Sequence, residues 1–142
     1  MSKYPHIGIL TTARDFLDAA NRLNDGPQCT AAPMPVYYLY FHCIELCLKS
    51  YLCFRSMSDK EMRNDLRHDL DSCWTCSVKQ GISDLVPDSQ ELVECIKIMN
   101  PLYRGKELEY YVHGLKRVPE ISHVFRSANM LHSELDKFYR LK

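Results

Sequence analysis

The stretch that most constrains the fold is residues 36–54, VYYLYFHCIELCLKSYLCF, where apolar side chains fall on nearly every face of a helix. Such a helix is expected where other helices surround it. The stretch is also long enough to span a membrane, but His42, Glu45 and Lys49 interrupt it, and ionisable groups are costly at membrane depth. It therefore predicts a buried central helix in a protein that does not enter a membrane.

Amphipathic patterns on both sides of this stretch supply the helices that would surround it. Apolar residues recur at three-to-four spacing in residues 10–23, 92–99 and 121–138. Shorter helical segments are predicted between Ser58 and about Leu66 and between His68 and Gly81. The whole chain, residues 1–142, is therefore predicted to be one all-α domain, a bundle of five to six helices.

Two local signals bear on where the later helices end. Asn100-Pro101 is expected to break or restart the fifth helix, because proline has no backbone N–H to donate. Residues 105–112, GKELEYYV, alternate weakly and could be extended, but no second strand is evident to pair with them. Neither signal changes the predicted fold class.

Charge and cysteine content indicate where such a protein would work. The 18 basic and 18 acidic side chains cancel, so any nucleic-acid binding would depend on a local basic patch. The seven cysteines fall mostly inside apolar helical patterns, and MSKYPHIGIL has no signal-peptide features. These features predict a cytoplasmic protein with free thiols.

Cys73 and Cys76 form a Cys-x-x-Cys pair that could suggest zinc or redox chemistry. Zinc normally takes four ligands, and no second Cys-x-x-Cys or His-x3-5-His follows. A thioredoxin-like site would need a βαβ context, which the helical pattern does not offer. We therefore expect no metal and no cofactor.

Three segments, in order, resemble the bacterial HEPN-like domains. They are FHCIELCLKSYL (residues 41–52), RHDLDSCW (67–74) and MNPLYRGKELEYYV (99–112). In that family a Glu-Leu-x-Leu-Lys-x-Tyr-Leu helix is followed by Gly-His-Asp-Leu and then by an Asn-x-x-Tyr turn. The family's glycine is Arg67 here, and arginine does not share glycine's freedom at positive φ. The resemblance covers residues 37–112 and implies an antiparallel helical bundle that often dimerises.

Many members of this family are metal-independent ribonucleases, and the resemblance implies where the site would lie. Those nucleases carry Arg-x4-6-His, commonly with Asn, Asp or His after the arginine, and RNDLRH fits with Arg63, Asn64 and His68. Histidine can take or give the proton of a 2′-hydroxyl, and arginine's fork matches phosphate oxygens. The predicted function is RNA binding or cleavage by a homodimer, with Arg63, Asn64 and His68 as catalytic residues.

Four further residues around that site are predicted to be binding residues: Glu45, Lys49, Arg67 and Asp69. Glu45 and Lys49 stand four apart with the acid first, which places them on one helix face. They could form a simple helix-stabilising pair or a polar ridge that faces a partner helix or His68. Asp69 could complement the positive end of a helix that starts at His68.

The Arg-to-His spacing is not specific by itself, because Arg117 with His123 and Arg126 with His132 also satisfy it. The alternative function is a non-catalytic helical module that binds a protein partner such as an antitoxin. The two hypotheses predict different geometry for His68. Arg63 and His68 in one solvent-open cleft at a two-fold interface would favour the nuclease, whereas burial of His68 against Glu45 or Lys49 would favour the module.

Overall fold

The computed structural model describes residues 5–24, 33–106 and 117–142, and within these residues it is a bundle of helices without a strand. The helices are α1 (Pro5–Leu23), α2 (Met34–Phe54), α3 (Asp59–Glu61), α4 (Leu70–Lys79), α5 (Gln90–Arg104) and α6 (Ile121–Arg140). A π-helical turn, Met62–Leu66, continues α3, and a 3₁₀ turn, Ile82–Asp84, follows α4. The predicted all-α bundle is confirmed.

Helix α2 is the centre of the bundle, as its sequence predicts. Helices α1, α4 and α6 all pack against it, and most of its residues are buried. Its large tyrosines satisfy their hydroxyls while they fill the core. Tyr37 donates to the carbonyl of Pro119 at 2.8 Å and Tyr51 to that of Gln80 at 2.6 Å. These bonds let tyrosine serve as a core residue without leaving a polar atom unsatisfied.

Helices α1 and α6 cover α2 with the apolar stripes that their periodicity predicts. The buried residues of α1 are Leu10, Ala13, Leu17 and Ala20, and those of α6 include Ile121, Val124, Ala128, Leu131 and Leu135. The capping box predicted from Ser58 and Glu61 is also present, with both reciprocal hydrogen bonds formed.

The expectation that Asn100-Pro101 would break the fifth helix is wrong, because α5 continues through Pro101 to Arg104. The buried stripe of Leu92, Ile96 and Met99 extends to Tyr103, one turn beyond Asn100. Burial of Tyr103 holds that last turn in place although Pro101 has no N–H to donate.

Two further predictions concern the ends of the described segments and the membrane. Residues 105–112, whose weak alternation could indicate an extended stretch, lie from residue 107 onward outside the described residues. Among the helices that the structure describes, none combines the length and the apolar character needed to cross a membrane.

Candidate functional site

A buried carboxylate, Glu45 of α2, has side chains from three parts of the chain gathered around it. Glu45 is only 1% exposed. Its Oε2 atom lies 2.6 Å from Nζ of Lys49, and both of its oxygens lie 3.2 Å from Nδ1 of His68. The hydroxyl of Tyr103 donates to Oε1, and His42 stands beside Tyr103. We name these five residues the Glu45 cluster.

The carboxylate of Glu45 is held in its ionised form. Burial alone would raise the pKa of Glu45, but the charge of Lys49 and the hydrogen bonds from Lys49, Tyr103 and His68 outweigh burial and lower it. A negative charge is therefore fixed in the core of the protein, next to an imidazole that reaches solvent.

His68 combines a buried anchor with an exposed ring. Its side chain is 56% exposed, while Nδ1 points to the Glu45 carboxylate. An ionised carboxylate accepts hydrogen bonds only, so Nδ1 of the neutral ring carries the proton and Nε2 carries the lone pair. Nε2 makes no hydrogen bond with any residue in the described part of the chain. This arrangement suits proton transfer at Nε2.

The turn that presents His68 has the shape of a glycine turn, although Arg67 occupies the position. The N–H of Asp69 donates to the carbonyl of Leu66 at 2.9 Å, and Arg67 has φ 49° and ψ −126°. These angles match the second residue of a type II′ turn, which glycine dominates. The carbonyl of Arg67 accepts from Lys49 Nζ at 2.6 Å. Lys49 therefore holds both the turn and Glu45.

A π-helical turn immediately precedes this turn and carries the other predicted catalytic residues. The N–H of Arg67, the residue after this turn, donates to the carbonyl of Met62 at 3.0 Å. Met62 and Leu66 are buried and anchor the turn, which leaves Arg63 and Asn64 exposed. π turns are rare and are often found at functional sites.

Among the described residues, the cleft that Arg63 lines does not have His68 in its wall. Arg63 lines a cleft of about 280 Å³ whose other residues are Ile9, Leu46, Lys49, Asp59 and Met62. Neither Arg63 nor Asn64 makes a hydrogen bond or ion pair with the Glu45 cluster among the described residues. Lys49 is the link, because it lines the cleft and also binds Glu45.

Asp69 and Asn100 fix the start of α4 beside this turn. The Asp69 carboxylate accepts from the N–H of Ser72 at 3.2 Å, as expected of an N-cap. Asn100, buried on α5, accepts from the N–H of Leu70 at 2.8 Å and donates to Asp69 and Asp71 at 3.0 Å. Arg104 also lies 3.5 Å from Asp69. The residue after His68 is therefore tied to two helices.

The Cys-x-x-Cys pair has the character of packing residues. Cys73 is buried, and burial raises the pKa of its thiol to about 12, far from the range of a reactive thiolate. The described cysteines, Cys43, Cys47, Cys53, Cys73, Cys76 and Cys95, are all free of disulfides. In residues 5–24, 33–106 and 117–142, no group of three or more histidine, cysteine or acidic side chains is placed to hold a metal.

The other two arginine and histidine pairs of matching spacing lie away from the cluster. His123 stands 3.5 Å from Glu120, and Arg126 makes a two-pronged bond with Glu91. His132 of α6 lines a cleft together with residues of α1, and burial lowers its pKa.

Sequence reasoning did not assign a site role to Tyr103, Asn100 or His42. Asn100 and Tyr103 form the Asn-x-x-Tyr of the resemblance, so that motif is the signal that could have identified them. His42 is half-buried, and its Nδ1 lies 2.8 Å from the hydroxyl of Tyr103.

Comparison with known proteins gave no match to this chain. No family model matches the chain, and neither the curated proteins nor the solved structures contain a significant match. What the chain does must be inferred from its own residues.

Proposed function

We propose that this chain is a HEPN-like domain that works as a homodimeric, metal-independent endoribonuclease, with His68 as its proton-transfer residue. One observation carries the proposal: an imidazole that is 56% exposed is anchored through Nδ1 to a buried, ionised carboxylate. A carboxylate behind a histidine sets its tautomer and stabilises its protonated form, which suits a general base.

The chemistry follows from the position of the lone pair. Nε2 of His68 takes the proton of a 2′-hydroxyl, O2′ forms a bond to phosphorus, and the bond from phosphorus to O5′ breaks. O5′ leaves with a proton from water, which the protonated His68 then restores. The products are a 2′,3′-cyclic phosphate and a 5′-hydroxyl. DNA lacks the attacking 2′-hydroxyl and is not a substrate.

Arginine side chains supply the positive charge that the transition state needs. Lys49 is bound to Glu45 and to the turn, so its role is to hold the site. Arg63 makes no ion pair with any residue that the structure describes, and its guanidinium is available for phosphate. In the proposed homodimer, Arg63 and Asn64 act on RNA held at His68 of the partner subunit. Arg67, which is exposed beside His68, binds the RNA backbone.

A second function, from a different class, is favoured by the number of partners of Glu45. Lys49 and Tyr103 bind the carboxylate as well, so His68 could be one of several side chains that satisfy a buried charge. The cleft at Arg63, with Ile9 and Leu46 in its wall, would then receive a side chain of a protein partner such as an antitoxin. In that case His68 has a structural role and no RNA is cut.

The deciding experiment is cleavage of single-stranded RNA by the purified protein in the presence of EDTA. His68→Asn is the sharpest variant, because asparagine can still donate to Glu45 from the position of Nδ1 but has no basic Nε2. We expect its rate to fall by a factor on the order of 10² to 10⁴ with the fold unchanged, and Arg63→Ala to fall comparably.

His123→Ala is the matched control, since His123 is also a partly exposed histidine beside a carboxylate, and it should keep full activity. Sedimentation of the active protein should give a dimer. Absence of cleavage by the wild type, or full activity of His68→Asn, refutes the nuclease and leaves the interaction module.

A further inference from the structure

Behind Glu45 the hydrogen bonds continue to a second histidine. Tyr103 donates its single hydroxyl proton to Oε1 of Glu45, and Nδ1 of His42 lies 2.8 Å from the same hydroxyl. The hydroxyl can only accept from His42, so Nδ1 of His42 carries a proton. The result is a chain of hydrogen bonds, from His42 to Tyr103 to Glu45, with His68 donating to Glu45 from the other side.

Aromatic packing holds the inner half of this chain in place. Tyr38 stacks on the ring of His42 at 5.6 Å and on that of Tyr103 at 6.0 Å, and Phe16 meets His42 edge-on at 4.4 Å. The side chain of His42 is only 19% exposed, against 56% for His68. The inner end is therefore packed among aromatic rings, and the outer end meets solvent.

The bonds to Glu45 are divided between its two oxygens in a way that sets the plane of the carboxylate. Lys49 binds Oε2 and Tyr103 binds Oε1, while Nδ1 of His68 is equally distant from both. With one oxygen released, the carboxylate could rotate about its last side-chain bond, because that torsion is soft. Its acceptor direction toward His68 would then no longer be fixed.

We propose that Tyr103 is a positioning residue for His68: its hydroxyl, itself oriented by His42, fixes the carboxylate of Glu45 so that the neutral imidazole keeps its proton on Nδ1 and its lone pair on Nε2. The inference rests on the proposed function of His68. It adds the residues that select the required tautomer, which are Tyr103 of α5 and His42 of α2.

The test is the ring ¹⁵N spectrum of His68, because the two nitrogens of an imidazole report directly which of them carries the proton. At a pH high enough for the ring to be neutral, the wild type should show the Nδ1–H form almost alone. Tyr103→Phe should show a mixture with the Nε2–H form, and His42→Phe should show a smaller change in the same direction.

Tyr51→Phe is the control, since it also removes a buried tyrosine hydroxyl from its partner but lies outside the Glu45 cluster. It should leave the His68 spectrum as in the wild type. A folded Tyr103→Phe protein with an unchanged His68 tautomer overturns the inference.

Activity provides a separate readout. Tyr103→Phe should lower kcat about tenfold while KM stays the same, because the substrate is bound elsewhere and only the base is misplaced. An unchanged kcat also overturns the inference. A wild type that cuts no RNA refutes the proposed function, but the tautomer experiment still tests the positioning by Tyr103.

Discussion

Replacing Arg67 with glycine should stabilise this protein. Arg67 holds φ 49° and ψ −126°, a conformation that glycine adopts freely and that a residue with a Cβ rarely does. Such backbone strain costs on the order of 1 to 3 kcal/mol. Glycine also gives the unfolded chain more conformational freedom, which lowers the free energy of unfolding by about 0.4 to 1 kcal/mol. The expected net gain is about 1 kcal/mol, or about 3 °C in Tm for a chain of this length.

Arg67→Ala is the matched control, because alanine removes the same charged side chain but keeps the Cβ. Urea unfolding of the two variants at one pH and salt concentration compares them directly. Glycine should exceed alanine by about 1 to 2 kcal/mol, since alanine keeps the strain. Equal stability of the two variants would refute the argument that the Leu66–Asp69 turn is strained at Arg67.

Three further predictions concern the core, the buried carboxylate and the start of α4. Leu48→Ala should lower the free energy of unfolding by about 2 to 5 kcal/mol, because Leu48 is fully buried. Leu46→Ala should lower it by less, because Leu46 is half-buried, and urea unfolding measures both variants. The pKa of Glu45 is lowered in the folded state, so its ionised form stabilises the fold above its ordinary value of 4.5, and this stabilisation is lost as the pH falls. Glu45→Gln should therefore flatten the fall in stability below about pH 5, and an unchanged acid limb contradicts this. Asn100→Ala should lower the free energy of unfolding by about 1 to 3 kcal/mol, because the N–H of Leu70 loses its acceptor. Hydrogen exchange at that N–H should become faster, and unchanged exchange contradicts the prediction.

Much of the fold could be predicted from the sequence, because helices are encoded by local periodicity. The near-uniform apolar character of residues 36–54 identified the central helix, and the stripe from Leu10 to Ala20 identified the first. The end of α5 could not be predicted in this way. Pro101 is a strong local signal for a break, but burial of Tyr103, which depends on packing against other helices, outweighs it.

The Glu45 cluster could be predicted only in part. The four-residue spacing placed Glu45 and Lys49 on one face, and His68 was expected to lie against one of them if it was buried. The roles of Tyr103 and His42 depend on contacts between residues far apart in the chain, which periodicity does not encode. The conformation of Arg67 was also hidden, because arginine gives no sequence signal for a positive φ.

The separation of the cluster along the chain has a consequence for protein synthesis. Glu45 lies 23 positions from His68 and 58 from Tyr103, so the three side chains meet only after the polypeptide has been made through α5. Chains emerge from the ribosome N-terminal end first. A nascent chain that still lacks α5 exposes His68 without the full set of bonds on Glu45. If the cluster cuts RNA, the growing polypeptide has His68 before it has the Tyr103 hydroxyl that positions Glu45, and full activity begins only with the completed domain.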